Sequence, residues 1–123
     1  MSYSPLDKLF QEIKNIYFPR WDKNNKWKIE EVDGETICAG RKVFMGLCDY
    51  DTKTLFIDQR VAGCEHDLRM TLVHEISHAI AGDVHNERWR SRYLKVAIQA
   101  EKLNEINLAY HIKKEIDQYK KST

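Results

Sequence analysis

His74-Glu75-Ile76-Ser77-His78-Ala79-Ile80-Ala81-Gly82-Asp83-Val84-His85 is the stretch on which the reading of this chain turns. On a helix, residues at i and i+4 lie one above the other, so His74 and His78 share a face and can reach a single ion. The flanking residues support a helix. At 100° per residue, Leu72, Val73, Ile76, Ala79 and Ile80 fall within one apolar stripe roughly 120° wide. The pattern predicts a helix from Glu65 to Ala81, with His74 and His78 opposite the stripe. Gly82 is a natural C-terminal stop, after which the chain can fold back and bring His85 beneath the histidine pair.

The residue types in this pattern point to metal chemistry. Imidazole nitrogen suits zinc, and two such ligands fill half of a tetrahedron. A catalytic zinc takes a third protein ligand and leaves the fourth position to water. His85 is the expected third ligand. Glu75 is not needed for coordination, and its carboxylate is placed to activate a zinc-bound water, whose pKa the metal lowers to about 7. A bare H-E-x-x-H arises by chance in on the order of one chain in several hundred of this size. Its context therefore matters: an amphipathic helix, both histidines off the apolar stripe, a glycine stop, and a third histidine close behind.

Outward from this helix the hydrophobic period changes twice. Ser4-Pro5 opens a helical pattern in which Leu6, Leu9, Phe10, Ile13 and Tyr17 recur at three- and four-residue spacing, and Pro19 stops it. From Trp27 to Asp58 the period shortens towards two. Trp27, Ile29 and Glu31 alternate with their neighbours, and Asp33-Gly34 is a turn signal before Thr36–Ala39. Val43–Tyr50 and Thr54–Asp58 read as further strands around an Asp51-Thr52-Lys53 turn. The expected sheet is small and mostly antiparallel. After Asn86 two more helical stripes follow, one through Trp89, Tyr93, Val96, Ala97 and Ala100, the other through Ile106, Ala109, Ile112, Ile116 and Tyr119. With neither repeats nor a linker, residues 1–123 read as a single α+β domain.

Bulk composition narrows the function classes. At 123 residues, 42% hydrophobic and 32% charged, the chain has ordinary globular composition. Its formal net charge of +1 announces no polyanionic partner. Arg88, Arg90, Arg92 and Lys95 do crowd one stretch, which leaves room for a weak DNA contact. Cys38, Cys48 and Cys64 are odd in number and widely spaced, which argues against a disulfide framework or a zinc ribbon. They read as small buried thiols of a reducing compartment. No secretory signal opens the chain and no apolar run approaches a membrane span. The expected location is intracellular, in the cytoplasm.

The central stretch resembles the zincin core of the SprT-like metalloproteases, the family of the Spartan-type proteases. That pattern is H-E-x-x-H, a glycine-containing loop, then a third His with an aromatic residue four positions later. Here His74, Glu75, His78, Gly82, His85 and Trp89 occupy those places. Gly46–Ile57 is similar to the strand pair that precedes the family's active helix, and the likeness covers roughly residues 40 to 95. It implies a minimal zincin-like metalloprotease domain: an N-terminal helix, a short sheet, the active-site helix and following helices. It implies one Zn2+ per chain, held by His74, His78 and His85, and hydrolysis of a protein or peptide substrate, in several members one attached to DNA. Metzincins match less well, since their glycine loop is one residue shorter and they need a Met-turn. In a gluzincin the third ligand would be a later glutamate, such as Glu101 or Glu105.

Two functions follow from different classes. The leading one is a zinc peptidase whose extended substrate adds to a sheet edge at Thr54–Asp58. The alternative is a catalytically idle zinc-binding domain, regulatory or DNA-associated, on the same scaffold. Glu75 favours the enzyme, because a structural zinc site has no use for an unligated carboxylate there. Lesser candidates are Asp83 as a hydrogen-bond acceptor for a ligating histidine, and Tyr93 or Tyr110 as an oxyanion donor. His66 and His111 are expected to be surface histidines, and Trp89 is expected to pack behind the third ligand.

Overall fold

In a computed structural model, residues 5–32, 46–82 and 86–121 are described. Helix α1 (Pro5–Tyr17) opens with proline at its first position, where the missing N–H costs nothing. It buries Leu9, Phe10, Ile13 and Tyr17. Strands β1 (Lys28–Val32), β2 (Gly46–Asp49) and β3 (Thr54–Asp58) follow. A one-turn helix α2 (Gln59–Ala62) leads into α3 (Glu65–Ala81), then α4 (Glu87–Lys102) and α5 (Ile106–Lys121). The architecture is α+β.

The strand order is β1-β3-β2, and the sheet is mixed. β2 and β3 form an antiparallel pair joined by the 50–53 turn, with Lys53 in the left-handed region at φ 51°. β1 runs parallel to β3, with Ile29 opposite Leu55. The expectation of a mostly antiparallel sheet is therefore corrected, since one of the two described pairings is parallel. Period-two alternation is the same in either sense, and the partner is chosen by long-range packing. Residues 33–34 and 36–39, expected to form a turn and a strand, lie outside the described residues. A second correction concerns the substrate edge. Thr54–Asp58 is the central strand, hydrogen-bonded on both sides, so among the described strands β1 and β2 are the outer ones.

Helix α3 has the bounds its periodicity gives, and Gly82 ends it at φ 106°, a backbone conformation open to glycine and strained for other residues. Leu72, Val73 and Ile76 are fully buried in a core shared with α1, β3 and the later helices. The face opposite this stripe is also covered. His78 is buried there, where α4 and α5 pack, and Glu75, on a neighbouring side towards β2, is buried as well. Among the cysteines, Cys48 is buried on β2, but Cys64 is exposed at the start of α3, against the expectation of buried thiols.

The N-terminal helix is tied to its following loop by a buried cation. Lys14 Nζ lies 2.8 Å from Asp22 Oδ2 and 2.9 Å from Asn25 Oδ1, against the rings of Phe10 and Trp21. Both ionic side chains are at most 5% exposed. Such a pair is worth little against apolar residues of the same shape, but removing one partner alone costs about 3–5 kcal/mol.

Candidate metal centre

Helical spacing on α3 brings His74 and His78 together: their rings lie 4.8 Å apart between centroids, and their Nε2 atoms are 3.1 Å apart. What each ring does at its other nitrogen fixes its chemistry. His78 Nδ1 lies 2.8 Å from the carbonyl oxygen of Gly82, which can only accept, so Nδ1 carries the proton. His74 Nδ1 lies 2.9 Å from Glu115 Oε2, and an ionised carboxylate again only accepts. In two neutral rings so arranged, both Nε2 atoms present lone pairs, and these face each other at hydrogen-bond distance with no proton between them. Such a contact calls for a cation: a shared metal, or a proton that turns one ring into imidazolium.

The donor set fits zinc. Two nitrogens 3.1 Å apart, each about 2.0–2.1 Å from a common zinc, subtend about 100° at the ion, close to tetrahedral. Carboxylate and carbonyl acceptors on the far ring nitrogens are the usual support for metal-binding histidines. His85 and Asp83, the expected third ligand and supporting acceptor, lie outside the described residues. Glu101 forms an ion pair with Lys113 at 2.8 Å, so it is occupied elsewhere.

Without a metal, the pair's charge balance favours a proton. Burial pulls the His74 pKa down, but the Glu115 hydrogen bond and the charges of Glu115 and Glu75 outweigh it, and the net shift is upward from 6.5.

Each ring is held by elements distant in sequence. The buried indole of Trp89 stacks on His78 at 5.3 Å with planes 19° apart, and meets His74 at 5.1 Å. Trp89 is positioned by the start of α4, where the Asn86 side chain accepts a capping hydrogen bond of 3.1 Å from its N–H. Its packing thus engages the first two histidines; the expected packing behind His85 lies outside the described residues. Tyr93, one turn later, donates to Glu115 Oε1 at 2.6 Å, so both carboxylate oxygens are used. At the end of α3, Tyr50 donates to the His78 carbonyl at 2.7 Å, and the Gly82 N–H reaches the same oxygen at 2.8 Å.

Glu75 is carried to another side, towards β2. It is 8% exposed, and a Cβ on Gly46 would come within 3.3 Å of its Oε2 and 3.0 Å of its Cγ. The hydroxyl of Tyr93 serves Glu115, and Tyr110 is well exposed beside His111, so neither is placed as an oxyanion donor. His66 and His111 meet at 4.9 Å, and His111 is exposed. The basic cluster divides: Arg90 pairs with Glu87, while Arg88, Arg92 and Lys95 share a different face of α4.

Glu115 and Tyr50 are the residues that sequence reasoning missed. Glu115 immediately precedes Ile116 at the edge of the α5 stripe, a weak sign of a partly covered carboxylate; Tyr50 offers no comparable sign. Compared with protein-family models the chain matches none, and no curated protein matches it.

Proposed function

We propose that this chain is a zinc-dependent peptidase of the SprT-like kind, with Glu75 as its general base. One observation carries the reading: two Nε2 lone pairs converge at 3.1 Å while both Nδ1 positions are committed to acceptors. A zinc ion bound there, with His85 as third ligand, would supply Lewis-acid polarisation of the scissile carbonyl. The protein's own groups do the rest. Glu115 and Gly82 hold the two rings in the tautomer that leaves Nε2 without a proton, and Trp89 packs along their flank. Glu75 takes the proton of the attacking water and passes it to the leaving amine. Extended substrate adds to β2, an outer strand among those described, whose Gly46 lies against Glu75. A regulatory domain with an idle metal would share the histidines but has no role for a carboxylate at position 75.

The test is zinc content and cleavage measured on the same preparations. About one zinc per chain is expected, with cleavage of an unfolded protein substrate that stops on chelation and returns on adding zinc. His74→Ala and His78→Ala should each lose both. Full zinc content in either variant would remove the metal centre, and zinc without turnover on any unfolded substrate would leave the idle domain.

A further inference from the structure

Lined by neither His74 nor His78, a cavity of about 410 Å³ lies where the end of α1 and the loop after it meet α3 and α4. Its apolar wall is made by Phe18, Trp21 and Ile80, and its charged rim by Arg20 and Arg92. A smaller cavity of about 170 Å³ adjoins it, sharing Ile80 and Arg92 and adding Arg88 and Lys95. Among the described residues no carboxylate lines either cavity. Among the described residues none of these four cations is in an ion pair, although other arginines of the chain are. On a chain with net charge +1, four cations without an ion pair to a described residue, set beside one apolar hollow, form a local excess.

We propose that this double cavity binds an acidic peptide segment that inserts one large apolar side chain between Phe18, Trp21 and Ile80. Its flanking carboxylates meet Arg20 and Arg92 on one side and Arg88 and Lys95 on the other. Guanidinium groups are suited to this, since their planar forks match carboxylates two hydrogen bonds at a time. The state of the aromatic rings decides between a peptide and a nucleic-acid strand. A base needs a free ring face on which to stack. Phe18 is 2% exposed, and Trp21 is engaged by Phe10, Phe18 and Trp27 and by the Lys14 ammonium. These rings line a hollow for a side chain and offer no platform for a base. Binding alone reads this site, so its test does not depend on the metal centre.

The test uses the full chain and fluorescence polarisation of a labelled nonapeptide of glutamates with one central phenylalanine. Binding is expected, weakening with added salt, and weaker by about tenfold when the central residue is alanine. Arg20→Glu combined with Arg92→Glu should abolish it. Arg88→Glu with Lys95→Glu, both exposed positions, should weaken it about tenfold or more and serves if the first pair does not fold. Equal affinity for the alanine peptide would overturn the proposal, as would unchanged binding by the charge-reversed variants. Tighter binding of a labelled nine-nucleotide single strand, or no peptide binding at millimolar concentration, would overturn it too.

Discussion

The Nδ1 atom of His74 stands 2.9 Å from Oε2 of Glu115, across the interface between α3 and the last helix. The second oxygen of that carboxylate accepts from Tyr93, so its orientation is set by α4 as well. Three helices thereby determine which nitrogen of His74 carries the proton, and through it which nitrogen is left for a metal. Removing such a support typically costs about 10–100-fold in metal affinity while every ligand stays in place. Glu115→Ala should therefore weaken zinc binding by that factor in a competition assay with a chelating indicator. Unchanged affinity would mean that the Glu115 contact does not tune the centre.

The same pair sets the pH dependence, with opposite signs in the two metal states. Glu115 and Glu75 raise the His74 pKa above 6.5 against the effect of burial. In metal-free protein, a raised folded pKa stabilises the fold fully below the unfolded value, and that stabilisation is lost as pH rises through the folded value. Zinc reverses the trend, because protons displace it from imidazole as pH falls. Melting temperatures measured across pH 5 to 8, roughly the range in which histidine titrates, should fall with rising pH under chelator. With zinc they should fall with falling pH. A metal-free profile that rises with pH would contradict the charge balance described for His74.

Gly46 bears on the position of Glu75. A methyl group there would stand 2.7 Å from Thr71 Cγ2 and 3.0 Å from Glu75 Cγ, so something must move. Thr71 is branched at Cβ and its hydroxyl is bonded to the Asp67 carbonyl, which leaves it little freedom. Displacing a catalytic group by about 1 Å can cost about 100-fold. Gly46→Ala should lower turnover by up to that factor with zinc content intact, and adding Thr71→Ala should restore part of it. A fully active Gly46→Ala enzyme would show that β2 does not position Glu75.

How much of this was legible in the sequence depends on range. Helix α3 and its histidine pair were, because a period of 3.6, a glycine stop and i,i+4 spacing are all local. The stripes of α4 were too, since Trp89, Tyr93, Val96, Ala97 and Ala100 are buried as their spacing requires. The parallel pairing of β1 with β3 was not, because alternation in Lys28–Val32 says which face is buried and nothing about the partner strand. Nor was the Glu115 contact with His74, which joins two helices distant in sequence and is oriented by Tyr93 of a third. Local pattern names the atoms of such a site, and tertiary packing decides their protonation.

Glu75 is where catalysis and metal binding can be separated. It follows His74 directly and is turned about 100° from it on the helix, towards β2. Its side chain is buried and its charge helps to raise the His74 pKa, yet it is not one of the two converging donors. Glu75→Gln preserves size and a hydrogen-bonding head and removes the base. General-base catalysis typically contributes about 100- to 10,000-fold, so hydrolysis should fall by that much. Zinc content should be unchanged, because no imidazole is lost. With one negative charge fewer beside it, His74 in the metal-free variant should titrate lower than in the parent protein, which NMR of the ring can follow. The three readouts divide the possibilities. Loss of turnover with zinc retained assigns the base; loss of zinc makes Glu75 a ligand; unchanged turnover leaves the proton to another group and removes Glu75 from the mechanism.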